Sequence, residues 1–248
     1  MKDPLFDLDG KAIVIAGAAG GIGSVLSRAL AQRGARLILG DIDEPALARL
    51  AAGWPGDGSS PPVHFVPFDI TNAAATDALV RQAVERFGGV DGALNAAGVL
   101  DLALALNLSE AAFRHSLDVN VTGSLLFSRA AAKAMRPGGR IVHLASVSSL
   151  VANPKYAAYA SAKAALAQLV RVLAREWASS GITVNAIGPA MMETPLIAAH
   201  LADSAFRAAA IAAIPMGRLS APEDLIGTTL LLLSPAGAFI TGQTIYVD

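Results

Sequence analysis

Tyr159 and Lys163 stand four residues apart in Tyr156–Ser179, a stretch with helical apolar spacing, so their side chains share one face. A phenol with an ordinary pKa of about 10 is a poor base at neutral pH. A neighbouring ammonium favours the phenolate, and a tyrosine tuned this way exchanges a proton with an alcohol or carbonyl oxygen. A Tyr-x-x-x-Lys pair alone is common. Here Ser146 precedes it, just past a short apolar run, and its hydroxyl can bond a substrate oxygen whose charge changes. Asn120 interrupts the apolar helical stretch Leu117–Phe127. Its amide needs partners, which a kinked backbone or a water chain from Lys163 would provide. Ser148 is a second hydroxyl candidate for the same pocket. Tyr156 faces Ala160 rather than a lysine and reads as a pocket-lining or rim residue. A serine hydrolase is disfavoured, because there is no Gly-x-Ser-x-Gly elbow and neither His143 nor His200 has a matching acid pattern.

A second set of residues suits a dinucleotide. Gly17-Ala-Ala-Gly20-Gly21-Ile22-Gly23 joins an apolar run to a helical pattern. Glycines permit a tight turn close to a diphosphate, and the helix start offers free N–H groups and a favourable dipole. Asp41 ends the second apolar run, where a carboxylate can accept hydrogen bonds from adenine-ribose hydroxyls and would repel a 2′-phosphate. Gly20, Gly40 and Ile42 supply no cation beside it, so the expected cofactor is NAD rather than NADP. Asp69, followed by Ile70, either hydrogen-bonds the adenine amino group or caps the helix starting near Asn72. Asn95-Ala96-Ala97-Gly98 offers small residues where a cofactor passes close to backbone.

The elements that must hold these residues alternate. Strands are predicted at Lys11–Ala16, Arg36–Gly40, Val63–Phe68, a run ending at Gly92–Asn95, Arg140–Leu144, Thr183–Ile187 and Gln243–Val247. Helices are predicted at Gly21–Gln32, Pro45–Ala52, Ala73–Phe87, from Ser109 to about Met135, Tyr156–Ser179 and Leu225–Leu233, with Ser109 as a cap and Pro222 ahead of the last. Gly53–Pro62 is punctuated by Gly and Pro and reads as a surface loop. Strands apolar on both faces need helices on both sides. The expectation is a single α/β domain over residues 1–248, a Rossmann-type doubly wound seven-stranded parallel sheet with ligands beyond the strands' carboxyl ends.

Composition narrows the function. With 54% hydrophobic and 16% charged residues the chain can build a large core. A net charge of −1 without a Lys/Arg cluster gives no surface for nucleic acid. No cysteine is present and the four histidines lack metal-ligand spacing, so no metal is expected. No apolar run approaches the length of a membrane span, and the first residues lack the apolar core of a signal peptide, so a cytoplasmic protein without membrane contact is expected.

Taken together, these motifs resemble the short-chain dehydrogenase/reductase family over essentially the whole chain. The family's glycine motif appears as Ala16 to Gly23, its Asn-Asn-Ala-Gly motif as Asn95-Ala96-Ala97-Gly98, and its Pro-Gly motif as Pro189-Ala190. The resemblance implies Asn120, Ser146, Tyr159 and Lys163 as the catalytic set and Thr194 as the holder of the nicotinamide carboxamide. It places Met192 among the cofactor contacts. Tyr159 would take the hydroxyl proton while hydride passes to the nicotinamide, Ser146 would position the oxygen, and Lys163 would lower the tyrosine pKa and bind the nicotinamide ribose. Asn120 would hold a water of the proton relay. Ala16, Ala96 and Ala190 depart from the family pattern and are expected to change local geometry rather than abolish activity. The glycine pair that usually follows the final Asp is absent after Asp248, which reads as slight trimming.

The resemblance further implies a pocket walled by Ser148–Tyr156, Ala190–Met192 and the apolar segment Pro195–Pro215. That suits a small alicyclic or hydrophobic alcohol or ketone. Asn153, Tyr156 and His200 would instead suit a polyol, the segment Leu5–Lys11 resembles sugar-acid and polyol members of the family, and Met191 is either pocket or packing. A 3-oxoacyl thioester reductase and a catalytically silent NAD-binding protein are the other readings. The family assembly implied is a homotetramer, with a dimer as runner-up.

Overall fold

The computed structural model describes residues 3–55 and 61–248. Part of the expected loop Gly53–Pro62 therefore lies outside the described residues. The strands are β1 (Ala12–Ala16), β2 (Arg36–Asp41), β3 (Val63–Pro67), β4 (Val90–Asn95), β5 (Met135–Leu144), β6 (Thr183–Pro189) and β7 (Thr244–Val247). They form one parallel sheet of seven strands in the order β3-β2-β1-β4-β5-β6-β7. The chain winds outward in one direction from β1 and in the other from β4. Their carboxyl ends therefore diverge and leave a crevice.

Burial explains why the strands read as unbroken apolar runs. Every residue of β1 is buried. Ala12, Val14 and Ala16 face one core layer with Phe127, Leu166 and Val170, while Ile13 and Ile15 face the other with Leu26, Leu30 and Leu232. The covering helices are α1 (Gly21–Ala31), α2 (Glu44–Ala52), α3 (Ala73–Phe87), α4 (Glu110–Leu117), α5 (Gly123–Ala134) and α6 (Ala157–Trp177). Then come α7 (Ala198–Leu201), α8 (Ser204–Ala212) and α9 (Ile226–Leu233). The result is the expected three-layer single domain.

Local chemistry sets several ends. Ser109 caps α4 by accepting from the Ala112 N–H at 3.1 Å. Asn72 caps α3, accepting from Ala75 N–H at 3.1 Å. The Asp69 carboxylate instead accepts from the Thr71 N–H and hydroxyl, so the capping alternative offered for Asp69 belongs to Asn72.

Three boundaries differ from expectation. The helix expected from Ser109 to Met135 is α4 and α5 joined by a π turn, Asp118–Thr122, and Met135 already belongs to β5. That strand starts five residues before the predicted Arg140, with a register shift opposite Val90 and Gly92. The last predicted helix begins as a 3-10 turn, Pro222–Leu225. The segment Pro195–Pro215 folds into α7 and α8, whose apolar side chains pack as a separate small cluster around Ile197, Leu201 and Leu219.

Candidate active site

The loops after β1, β4, β5 and β6 enclose a cavity of about 540 Å³ at the carboxyl edge of the sheet. Of the candidate site residues, Ile22, Ala96, Gly98, Ser146, Ser148, Asn153, Tyr156, Tyr159, Lys163, Pro189, Ala190, Met191, Met192 and Thr194 line it. A larger groove of about 830 Å³ lies by the Asp3–Asp9 segment, Arg28 and Trp54. It contains none of these residues.

The cofactor half begins at the glycine turn. Gly17 has φ +72° and packs so tightly that a Cβ would collide with the main chain of Ala96 and Ala97. Its helix, α1, starts at Gly20 with no side-chain cap and no acidic residue in the first turn, so the N–H groups of Gly21, Ile22 and Gly23 are suited to an anion. Thr194 and Pro195 approach Gly21, where a Cβ would lie 3.1 Å from Thr194 Cβ. Asp41 is 9% exposed. Its carboxylate accepts from Ala19 N–H at 2.8 Å and from Asp43 N–H at 3.0 Å, tying the glycine turn to the end of β2. Each oxygen keeps a lone pair for a further donor. Ile42 beside it is 69% exposed. Ile70 turns its side chain into the core. An uncapped helix start next to an acceptor-only carboxylate fits a dinucleotide, with diphosphate at one and ribose hydroxyls at the other.

Asn95 does not reach the cavity. Its Oδ1 accepts from Ala97 N–H, and its Nδ2 donates to Ser124 Oγ at 2.9 Å and faces His143 Nδ1 at 3.4 Å. Ser124 donates to the Asn120 carbonyl and Ser128 to the Ser124 carbonyl, each at 2.8 Å. Ser128 has spent its only hydrogen, so His143 Nε2, 2.8 Å away, must be the donor to it. That leaves Nδ1 as the acceptor and the ring neutral. Burial, with Lys163 adding to it, pulls His143 down to about 3. This buried chain was not foreseen. Its sequence signal is the polar stripe Asn120, Ser124, Ser128 at helical spacing, opposite a histidine within an apolar strand.

The reacting half is built on the π turn and the start of α6. Widening the helix at Asp118–Thr122 points Asn120 inward. Its Nδ2 donates to the carbonyls of Val99 at 3.1 Å and Ser116 at 3.0 Å. Its Oδ1 is buried with no partner among the described residues. A Cβ on Gly98 would lie 2.8 Å from that Oδ1 and 3.4 Å from Lys163 Nζ, so the orphan oxygen and the lysine flank one small space. Lys163, 4% exposed, donates to the Leu144 carbonyl at 2.7 Å and keeps two further protons. Ser146 Oγ accepts from Ser148 N–H at 3.1 Å, which leaves its own hydrogen to donate.

The protein's own groups do not tune Tyr159 as the sequence led us to expect. Its ring centroid is 5.5 Å from Lys163 Nζ, yet burial dominates and pushes the phenol up to about 12. The Ser146 hydroxyl pulls it down and Tyr156 adds to the rise. The two rings meet edge to face at 6.2 Å. Burial lowers Lys163 to about 8. Both charged forms are costly in a dry site. Among the described residues no group of three or more His, Cys, Asp and Glu could hold a metal ion, and no helix is long and apolar enough to cross a membrane.

This sheet, with an anion-ready helix start and a buried Ser–Tyr–Lys group across one crevice, defines a dinucleotide-dependent oxidoreductase. Residues 17–248 match the family model described as Enoyl-(Acyl carrier protein) reductase. Over 248 residues the chain is 37% identical to galactitol 2-dehydrogenase (L-tagatose-forming) of Cereibacter sphaeroides, covering 98% of this chain and 96% of that one. It is 35% identical to cis-4-hydroxycyclohexanecarboxylate dehydrogenase of Sinomonas cyclohexanicum, covering 95% and 94%. The crystal structure of a short-chain type dehydrogenase/reductase from Mycobacterium marinum superposes with a TM-score of 0.92 at 33% identity, covering 98% and 96%. The chain belongs to the short-chain dehydrogenase/reductase family and is an NAD(P)-dependent oxidoreductase acting on CH–OH groups.

Proposed function

We propose that the protein interconverts a small, uncharged secondary alcohol and its ketone with NAD, the alcohol being alicyclic or otherwise apolar. The observation that carries this reading is the facing pair of Ser146 hydroxyl and Tyr159 phenol at the base of a cavity whose lid is apolar. Leu196, Ile197, Phe206, Ala210 and Ile214 form that lid, and Lys163 is the only cation among the described residues that line the cavity. A substrate carboxylate or phosphate therefore finds no dedicated partner.

Bound NAD supplies the hydride acceptor or donor and the positive nicotinamide ring. The catalytic steps belong to the chain. Ser146, fixed as a donor by Ser148 N–H, holds the substrate oxygen. Tyr159 removes the hydroxyl proton during oxidation and returns it during reduction. Lys163 steadies the phenolate and the nicotinamide ribose, and Asn120 Oδ1 accepts from a relay water. Gly17, Gly21, Ile22 and Gly23 cradle the diphosphate. Asp41 and Ile42 take the adenine ribose, Asp69 and the main chain of Ile70 the adenine, and Ala96, Gly98, Pro189, Met192 and Thr194 the nicotinamide half, with Asn95 bracing this wall from behind through Ala97 N–H. Asp41 supports NAD because neither residues 17–23 nor 40–44 contain a Lys or Arg to meet a 2′-phosphate. Leu125 on α5, Val172 on α6 and the fully exposed Phe239 support a homotetramer built on apolar faces.

A second reading, a polyol substrate, is favoured by Ser148, Asn153 and Tyr156 on one wall and by the galactitol-oxidising relative. Initial rates at 340 nm, crossing NAD and NADP with alicyclic alcohols, polyols, sugar acids and 3-hydroxyacyl thioesters, decide the matter. The expected result is NAD preference with an alicyclic alcohol showing the highest kcat/KM. NADP preference overturns the role of Asp41, and a polyol in first place selects the second reading.

A further inference from the structure

Ser146 lies in the short segment between β5 and the 3-10 turn Val147–Ser149. Its own contacts with the turn fix its hydroxyl, through Ser148 N–H, but something must also fix its peptide. Ser149 Oγ donates to the Ser146 carbonyl at 2.7 Å. The same Oγ lies 2.7 Å from the Tyr246 hydroxyl. A serine has one hydroxyl hydrogen, and Ser149 has given it to Ser146, so Tyr246 is the donor. The hydrogen bonds therefore run one way, from Tyr246 to Ser149 to the carbonyl of Ser146, and successive bonds of this kind polarise one another.

Tyr246 reaches this position from β7, the strand at the sheet edge. Its ring lies over Gly188, where a Cβ would sit 2.5 Å from Tyr246 Cδ1. Gly188 pairs with Tyr246 in the β6–β7 register and directly precedes Pro189 at the cavity wall. The tyrosine ring is thus seated on Gly188 of β6 while its hydroxyl reaches the serine turn. Nothing in the Ser–Tyr–Lys chemistry requires this residue to touch substrate or cofactor.

We propose that Tyr246 is a positioning residue for Ser146, acting through Ser149 to hold the serine peptide so that its hydroxyl meets the substrate oxygen. The inference rests on the role given to Ser146 above. A wrongly held donor loses stabilisation of the reacting oxygen more than it loses binding, so kcat should fall and KM should not.

The test measures kcat, both KM values and cofactor affinity for Tyr246→Phe, Ser149→Ala, Ser149→Thr and the Tyr246→Phe/Ser149→Ala pair, with Ser146→Ala as reference. Tyr246→Phe and Ser149→Ala should each lower kcat about five- to tenfold with the KM for NAD unchanged. The double variant should be no worse than Ser149→Ala alone, and Ser149→Thr, which keeps the hydroxyl, should recover most of the rate. Wild-type kcat in Ser149→Ala overturns the proposal even if Tyr246→Phe folds poorly. So does a double variant whose losses multiply, because independent structural damage adds in free energy. Near-normal turnover in Ser146→Ala overturns instead the reading of the site on which the proposal stands.

Discussion

At the scale of single residues, the Tyr159 proton is the quantity to follow. With the phenol pushed up to about 12 by burial, the protein alone keeps it protonated at neutral pH. That form suits reduction, whereas oxidation needs the phenolate. The oxidative kcat/KM should therefore rise with pH across the alkaline range while the reductive rate stays flat, as initial rates in both directions will show. Tyr159→Phe should lower turnover by about 10²–10⁴-fold and abolish the rise, while cofactor binding, followed by fluorescence, changes little. Tyr159, Lys163, Ser146 and Asn120 were legible because each is a polar residue in an apolar setting at a telling spacing. The sign of the phenol shift was not. It depends on how dry the site is against how near the ammonium stands, and sequence spacing carries neither quantity.

At the scale of elements, the wall leading into α6 stores strain. Lys155 adopts φ +74°, the only non-glycine residue to do so among the described residues. It is held there by its carbonyl, which accepts from Ala103 N–H at 3.0 Å, and by the bridge between Ala103 and Tyr156. A side chain in the left-handed region costs roughly 1–2 kcal/mol. Lys155→Gly should accordingly raise the urea midpoint, by the equivalent of about 1 kcal/mol at most once the glycine's greater unfolded entropy is subtracted. An unchanged or lower midpoint would show the conformation to be unstrained. Periodicity gave the covering helices and strands of this layer to within a few residues, because a buried face repeats. It gave neither the π turn, whose one extra residue shifts the helical phase within a stretch read as continuous, nor α7 and α8. α7, at four residues, is about one turn long and too short to show a period.

The molecule as a whole carries a buried base at its centre. His143 is fully buried on β5, between β4 and β6, and the direction of its hydrogen bonds admits only the neutral ring. Burial, with Lys163 adding to it, holds its pKa down to about 3 when folded, against about 6.5 for a free imidazole. Between those values the unfolded chain binds a proton that the folded chain refuses. The stability this neutral ring contributes is complete above pH 6.5 and drains away as pH falls toward 3, at up to about 1.4 kcal/mol per unit. Urea midpoints measured at pH 7.5, 6.5 and 5.5 should fall at the acid end, and His143→Gln should flatten that slope. Equal slopes in the two proteins would contradict the assignment.

The π turn at Asp118–Thr122 has a consequence for inheritance. A π turn carries one residue more than the α-helical path it replaces, so the widened turn that aims Asn120 is in effect an insertion the helix does not need. An in-frame loss of one codon there would let α4 and α5 close into a single regular helix while swinging Asn120 away from Val99 and the lysine. The same deletion would turn α5 by about 100° relative to α4, so it would displace the buried Phe127 and Ser128 as well as the catalytic amide.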